Sequence, residues 1–123
     1  MVDIGVQVVI GDAALRRALA RRIARVSGFA AVVHASGFDD IPAGKVVLTT
    51  PADCSLAKCE ELGRGGVPVV LLAPVPREAE RANYVLVGAL YLAMRVDTEE
   101  LFTTLREAAG ARSMRVTGGS PGI

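Results

Sequence analysis

The stretch VQVVIGDAALRRALARRIARVSG, Val6 to Gly28, carries two hydrophobic periods in succession. Val6 to Ile10 is a short apolar run dominated by β-branched residues, the composition of a strand. After Asp12 the period changes. Leu15, Leu19, Ile23 and Val26 recur at three- and four-residue spacing and form one apolar stripe of a helix. Asp12 stands at the N-cap position, and Gly28 sits where a left-handed C-terminal cap is wanted. The stretch therefore reads as a strand followed by a helix.

The pattern repeats outward from there. Ala30 to Val33, Lys45 to Thr49, Val67 to Leu72 and Gly88 to Met94 are further apolar runs, several of them apolar on both faces. Strands of that kind belong in a parallel sheet covered by helices on each side. Thr50-Pro51-Ala52-Asp53 has the grammar of a helix start, with an N-cap, a proline at the first position and an acid behind it, and predicts a helix toward Gly63. Another helix is expected over Pro76 to Val85. A last one is expected after Asp97, with Val96 and Leu101 as a hydrophobic staple and Leu101, Leu105 and Ala108 as its buried stripe. Only Ala35 to Gly44 separates the second and third runs, so the helix there is predicted to be shortened or missing. From Gly110 the composition turns to Gly, Ser, Arg and Pro. Residues 1–110 are expected to form the domain and residues 111–123 a tail or the start of a linker.

A chain of 123 residues with 51% apolar content fits one domain. With 14 basic and 13 acidic residues there is no overall field to draw in nucleic acid or a membrane surface, and neither is expected as a partner of this domain. The apolar runs fall short of the ~20 residues that span a bilayer, and Met1-Val2-Asp3 opens without a basic stretch and apolar core, so a cytoplasmic location is expected. Cys54 and Cys59 read as packing residues on one helix, a poor geometry for a disulfide and not a metal-ligand spacing. His34 has no evident catalytic partners, and Gly63, Gly65 and Gly66 lead into a strand and not a phosphate-binding loop. Arg16, Arg17, Arg21, Arg22 and Arg25 read as the solvated face of their helix.

A strand and helix repeated about five times is the doubly wound plan of flavodoxin-like domains. Its wording here narrows the likeness. Val6 to Ile10 with Leu15-Arg16-Arg17-Ala18-Leu19, then Lys45 to Leu48, Val67 to Leu72, Gly88-Ala89 with Tyr91-Leu92, and Val96-Asp97 before Glu99-Glu100-Leu101 resemble a response-regulator receiver domain along most of the chain. The resemblance implies a five-stranded parallel sheet of order 2-1-3-4-5. It also implies an acidic pair after the first strand, an Asp at the end of the third, a hydroxyl after the fourth and a Lys after the fifth. Placed here, the acidic pair is reduced to Asp12, and the other positions fall on Thr50, Ala73 and Met94. Mg²⁺ needs hard oxygen ligands, and Thr50 lacks a base to activate it, so no enzymatic activity, metal or cofactor is expected.

The reading is a degenerate, phosphorylation-independent pseudo-receiver of bacterial signal transduction, set in one version as the N-terminal part of a transcription regulator. By the same resemblance, Arg77, Arg81, Tyr84, Tyr91, Arg95, Glu99 and Glu100 form the face that would grip a protein partner or a second copy of the chain. The alternative is a sensor that takes a small ligand at the carboxyl ends of the strands, where Asp12, Thr50 and Ala73 meet.

Overall fold

A computed structural model describes residues 3–34, 37–39 and 41–118, with side-chain surroundings as far as residue 110. Five parallel strands, β1 (Ile4–Val9), β2 (Phe29–His34), β3 (Val46–Thr49), β4 (Val69–Ala73) and β5 (Leu90–Ala93), pair in the order β2-β1-β3-β4-β5. The helices are α1 (Ala13–Ala24), α2 (Leu56–Arg64), α3 (Glu78–Leu86) and α4 (Thr98–Gly118). The expected doubly wound α/β sheet is therefore present, and its order is the expected one.

Strand alternation sorts the core into two halves. Val6, Val8, Val46, Leu48, Val70 and Leu72 meet Leu19 and Ile23 of α1 and Leu101, Phe102 and Leu105 of α4. Val9, Val47, Val69, Leu71 and Ala73 meet Cys59 and Leu62 of α2 and Tyr84 of α3. Asp12 caps α1, its carboxylate accepting from Leu15 N–H at 2.9 Å. Asp97 does the same for α4, accepting from Glu100 N–H at 2.8 Å. Gly28 adopts φ +93°, the left-handed conformation anticipated for it, and its carbonyl accepts from Ile4 N–H at 2.8 Å to start β1.

β2 runs to β3 with no helix between them among the described residues, as the short connection requires. Phe38 and Ile41 of that connection pack against the α2 and α3 side of the core instead. Toward β2 that side is covered thinly. Gln7 is buried and bonds His34 Nε2 at 2.7 Å, and a Cβ added at Gly5 would come within 2.6 Å of Lys45 Cδ, so the lysine stem lies over the glycine. Val32 is left half exposed.

Two expectations change. The helix predicted from Thr50-Pro51 begins at Leu56, with Ser55 as its N-cap accepting from Lys58 N–H at 3.1 Å. Residues 50–54 form a separate turn, in which Asp53 and Cys54 N–H both donate to the Thr50 carbonyl at 3.0 Å. Cys54 is accordingly not on the helix that holds Cys59. At the other end, the helical backbone of α4 continues past Gly110 to Gly118, while residues 119–123 lie outside the described part.

The two core halves make Leu105 and Leu86 a clean contrast, since Leu105 is 0% exposed and Leu86 is 83% exposed. Leu105→Ala is expected to cost roughly 2 to 5 kcal/mol in urea unfolding, and Leu86→Ala to stay within about 0.5 kcal/mol of the parent.

Candidate functional site

The strand order reverses between β1 and β3, so the loops leaving their carboxyl ends diverge and open a crevice there. Among the described residues the carboxylate that bridges these loops is Asp53. Gly11 N–H donates to Asp53 Oδ1 at 3.1 Å and the Thr50 hydroxyl donates to Asp53 Oδ2 at 2.6 Å. The loop after β1 is thereby tied to the turn after β3. Beneath it, buried Thr49 donates its hydroxyl proton to the Val9 carbonyl at 2.6 Å. Beside it, Arg16 turns back from α1 and donates to the Ile10 carbonyl at 2.7 Å. Arg16 and Arg22 thus depart from a purely solvated face, since Arg22 donates to Thr98 Oγ1 at 2.9 Å and pins α1 to the start of α4. Arg17, Arg21 and Arg25 are exposed as expected.

The other pocket residues do not join this constellation as polar groups. Asp12 spends its carboxylate on the cap of α1. Ala73 is 0% exposed within the core at the end of β4. Met94 packs its side chain against the α1 and α4 side, with its N–H donating to the Ala73 carbonyl at 2.8 Å. Among the described residues no group of three or more His, Cys, Asp or Glu is placed to hold a metal ion. A cavity of about 690 Å³ lies at the opposite, amino edge of β4 and β5, lined by Cys59, Gly63, Val67, Leu86 and Gly88 among others.

On the face formed by α3, β5 and α4, the structure splits the candidate set. Arg77, Arg81, Arg95, Glu99 and Glu100 are exposed, and Lys58–Glu61 is the one ion pair among the described residues, so these five charges make none. Tyr84 and Tyr91 are corrected: they are only 6% and 8% exposed. Their rings stack on each other with centroids 6.1 Å apart. The Tyr84 hydroxyl donates to the Cys54 carbonyl at 2.7 Å, and the Tyr91 hydroxyl donates to the Glu80 carboxylate. Tyr91 also accepts from Arg77 N–H at 3.3 Å, which supplies the cap that no side chain of α3 provides. The tyrosines are therefore supports under this face and not contacts on it. A hollow of about 200 Å³ between Pro76, Arg77, Arg81 and Tyr91 marks the surface above them.

This architecture is the fold of response-regulator receiver domains. The chain superposes on a response regulator from Thermotoga maritima with a TM-score of 0.72 at 15% identity, over 89% of this chain and 99% of the other. It superposes on a protein described as belonging to pilus assembly (cpaE) from Burkholderia thailandensis with a TM-score of 0.71 at 19% identity, over 87% and 98%. A DNA-binding response regulator of the LuxR family from Staphylococcus aureus gives 0.66 at 15% identity, over 86% and 98%. No protein-family model and no curated protein sequence matches the chain. Among the described residues no helix is long and apolar enough to cross a membrane.

Burial pushes the Tyr84 hydroxyl up from 10.0 to about 12. The folded chain thus keeps a proton that the unfolded chain has released between those values. Stability contributed by Tyr84 is complete below pH 10 and is lost as pH climbs toward 12. Tyr84→Phe, which deletes the titrating group and its bond to Cys54, is expected to cost about 1 kcal/mol at neutral pH and to flatten this alkaline decline. Urea unfolding across an alkaline pH series checks both.

Proposed function

We propose that the chain is a phosphorylation-independent receiver-type module of bacterial signal transduction that works by binding a protein partner or a second copy of itself, and that it is not an enzyme. The observation that carries this is the crevice. Asp53 accepts from Gly11 N–H and the Thr50 hydroxyl and Asp12 caps α1, while Thr50, Ala73 and Met94 stand where phosphoryl chemistry would need an acid, a hydroxyl and a cation. Expected partners exclude direct nucleic acid and membrane, the location is cytoplasmic, and the N-terminal part of a transcription regulator is one setting for such a module.

The binding face in this reading is α3, β5 and α4. Arg77 at the N-cap of α3 is followed at four-residue spacing by Arg81 and Val85 of the helix, and Val85 is 52% exposed. Glu99, Glu100 and Glu107 lie exposed along α4. A two-fold pairing sets each copy's arginines against the other's glutamates, with Val85 supplying apolar contact. Exposed ion pairs give only ~0 to 1 kcal/mol each, so they set the register while apolar area holds the pair. The alternative reading, a neutral ligand at the carboxyl edge, gains no support from the two cavities described, because neither is lined by Asp12 or Thr50.

Two measurements test the proposal. Incubation with Mg²⁺ and acetyl phosphate or beryllofluoride is expected to leave the mass and the amide spectrum unchanged; an adduct, or shifts confined to Gly11, Thr50 and Asp53, would refute the loss of chemistry. Sedimentation over a concentration series is expected to show self-association that Arg81→Glu with Arg95→Glu weakens at least tenfold while circular dichroism is unchanged. A monomer at every concentration, or a dimer indifferent to both reversals, would remove this face as the site of self-association.

A further inference from the structure

Cys54 and Cys59 are the chain's two cysteines, and they sit in the core 0% and 2% exposed. On one continuous helix residues five apart point in different directions. Here the helix starts at Leu56, and Ser55 is extended at φ −71°, ψ 165°, so Cys54 approaches from the preceding turn. Its Sγ lies 3.3 Å from Cys59 Sγ. The two thiols have each other as partners, which packing alone does not demand.

The arrangement also makes the sulfurs unequal. The contact between the two sulfurs draws the Cys54 thiol below its usual value and, with burial, pushes the Cys59 thiol up. Cys59 in turn is among the residues that line the cavity of about 690 Å³ at the amino edge of β4. Closing the sulfurs to bonding distance takes a movement of about 1 Å, and the segment that has to move is a turn and not a strand or helix.

We propose that Cys54 and Cys59 form an oxidation site that closes to an intramolecular disulfide on reaction with a small hydroperoxide. The Cys54 thiol releases its proton to water, the thiolate attacks one peroxide oxygen, the O–O bond breaks, and the departing hydroxide takes up that released proton and leaves as water. Cys54 is then a sulfenic acid. Cys59 sulfur attacks Cys54 sulfur, the S–O bond breaks, and the second hydroxide leaves as water with the Cys59 proton. Two thiols and one hydrogen peroxide give one disulfide and two waters, the pair supplying the two electrons. The product fastens the 50–54 turn to α2. That turn carries Asp53, the tie to Gly11, and the Cys54 carbonyl held by Tyr84, so oxidation is felt at the carboxyl edge. The inference does not depend on the partner-binding role proposed above.

The test treats the reduced full chain, in native buffer, with millimolar hydrogen peroxide, then quenches, denatures and alkylates. The expected result is a mass lower by two hydrogen atoms per chain, nearly complete loss of alkylatable thiol, a monomer on a non-reducing gel, and full reversal by dithiothreitol. In Cys59→Ser the oxidised Cys54 has no thiol to resolve it and is expected to be trapped by dimedone; Cys54→Ser is expected to react at least tenfold more slowly. Thiols that stay alkylatable, masses raised by oxygen without the two-hydrogen loss, or chains cross-linked to one another would each overturn the proposal.

Discussion

The centre of the sheet is dry on both sides, and the rest of the molecule is arranged around that fact. Every residue of β3 and β4 is between 0% and 3% exposed. Backbone groups there can be satisfied only by neighbouring strands, which leaves the strand ends as the places where the chain meets water. Thr49, the one polar side chain within those two strands, gives its proton to Val9 across the β1 and β3 boundary. Helices must cover both faces, so the loops and the groups able to do chemistry collect at the two edges.

At the carboxyl edge this produces a crevice whose polar atoms answer one another. Asp53, Thr50 and Gly11 close a ring of contacts between two loops, and Arg16 covers the adjoining carbonyls. Among the described residues no buried side-chain nitrogen or oxygen is left without a partner. A set so fully engaged favours rigidity over exchange of ligands. Unpaired charge lies elsewhere, on the outer faces of the helices, among it Arg17, Arg21 and Arg25 of α1 and Arg77, Arg81, Glu99 and Glu100 around α3 and α4.

Most of the fold was legible because local and tertiary demands agree. The caps at Asp12 and Asp97, the turn at Gly28 and the lack of a helix among the described residues between β2 and β3 follow from a few adjacent residues. The site was legible only in part. Thr50-Pro51-Ala52-Asp53 and Ser55 offer competing helix starts of similar local merit, and the contact that decides between them, Asp53 to Gly11, spans 42 residues. Asp53 therefore looked like the first-turn acid of a helix when it is the carboxylate of the crevice. The signal available was the second cap, Ser55, three residues before Lys58. Tyr84 and Tyr91 were misplaced for a related reason: an amphipathic ring suits a surface or a core, and only the rotation of α3 over β5 settles which. At the far end, glycine-rich composition marks Gly110, whereas the helical backbone runs on to Gly118.

The stacked tyrosines have one further consequence. The chain has no tryptophan, and these are its two tyrosines, so its tyrosine ultraviolet signature originates at a single spot between α3 and β5. Two phenols 6.1 Å apart exchange excitation, and one of them reports the Cys54 carbonyl through its hydroxyl. Near-ultraviolet dichroism of this molecule is thus a local gauge. Its tyrosine bands register displacement of α3 or of the 50–54 turn, while β2 reports separately through the edge-to-face contact of its Phe29 with Phe102.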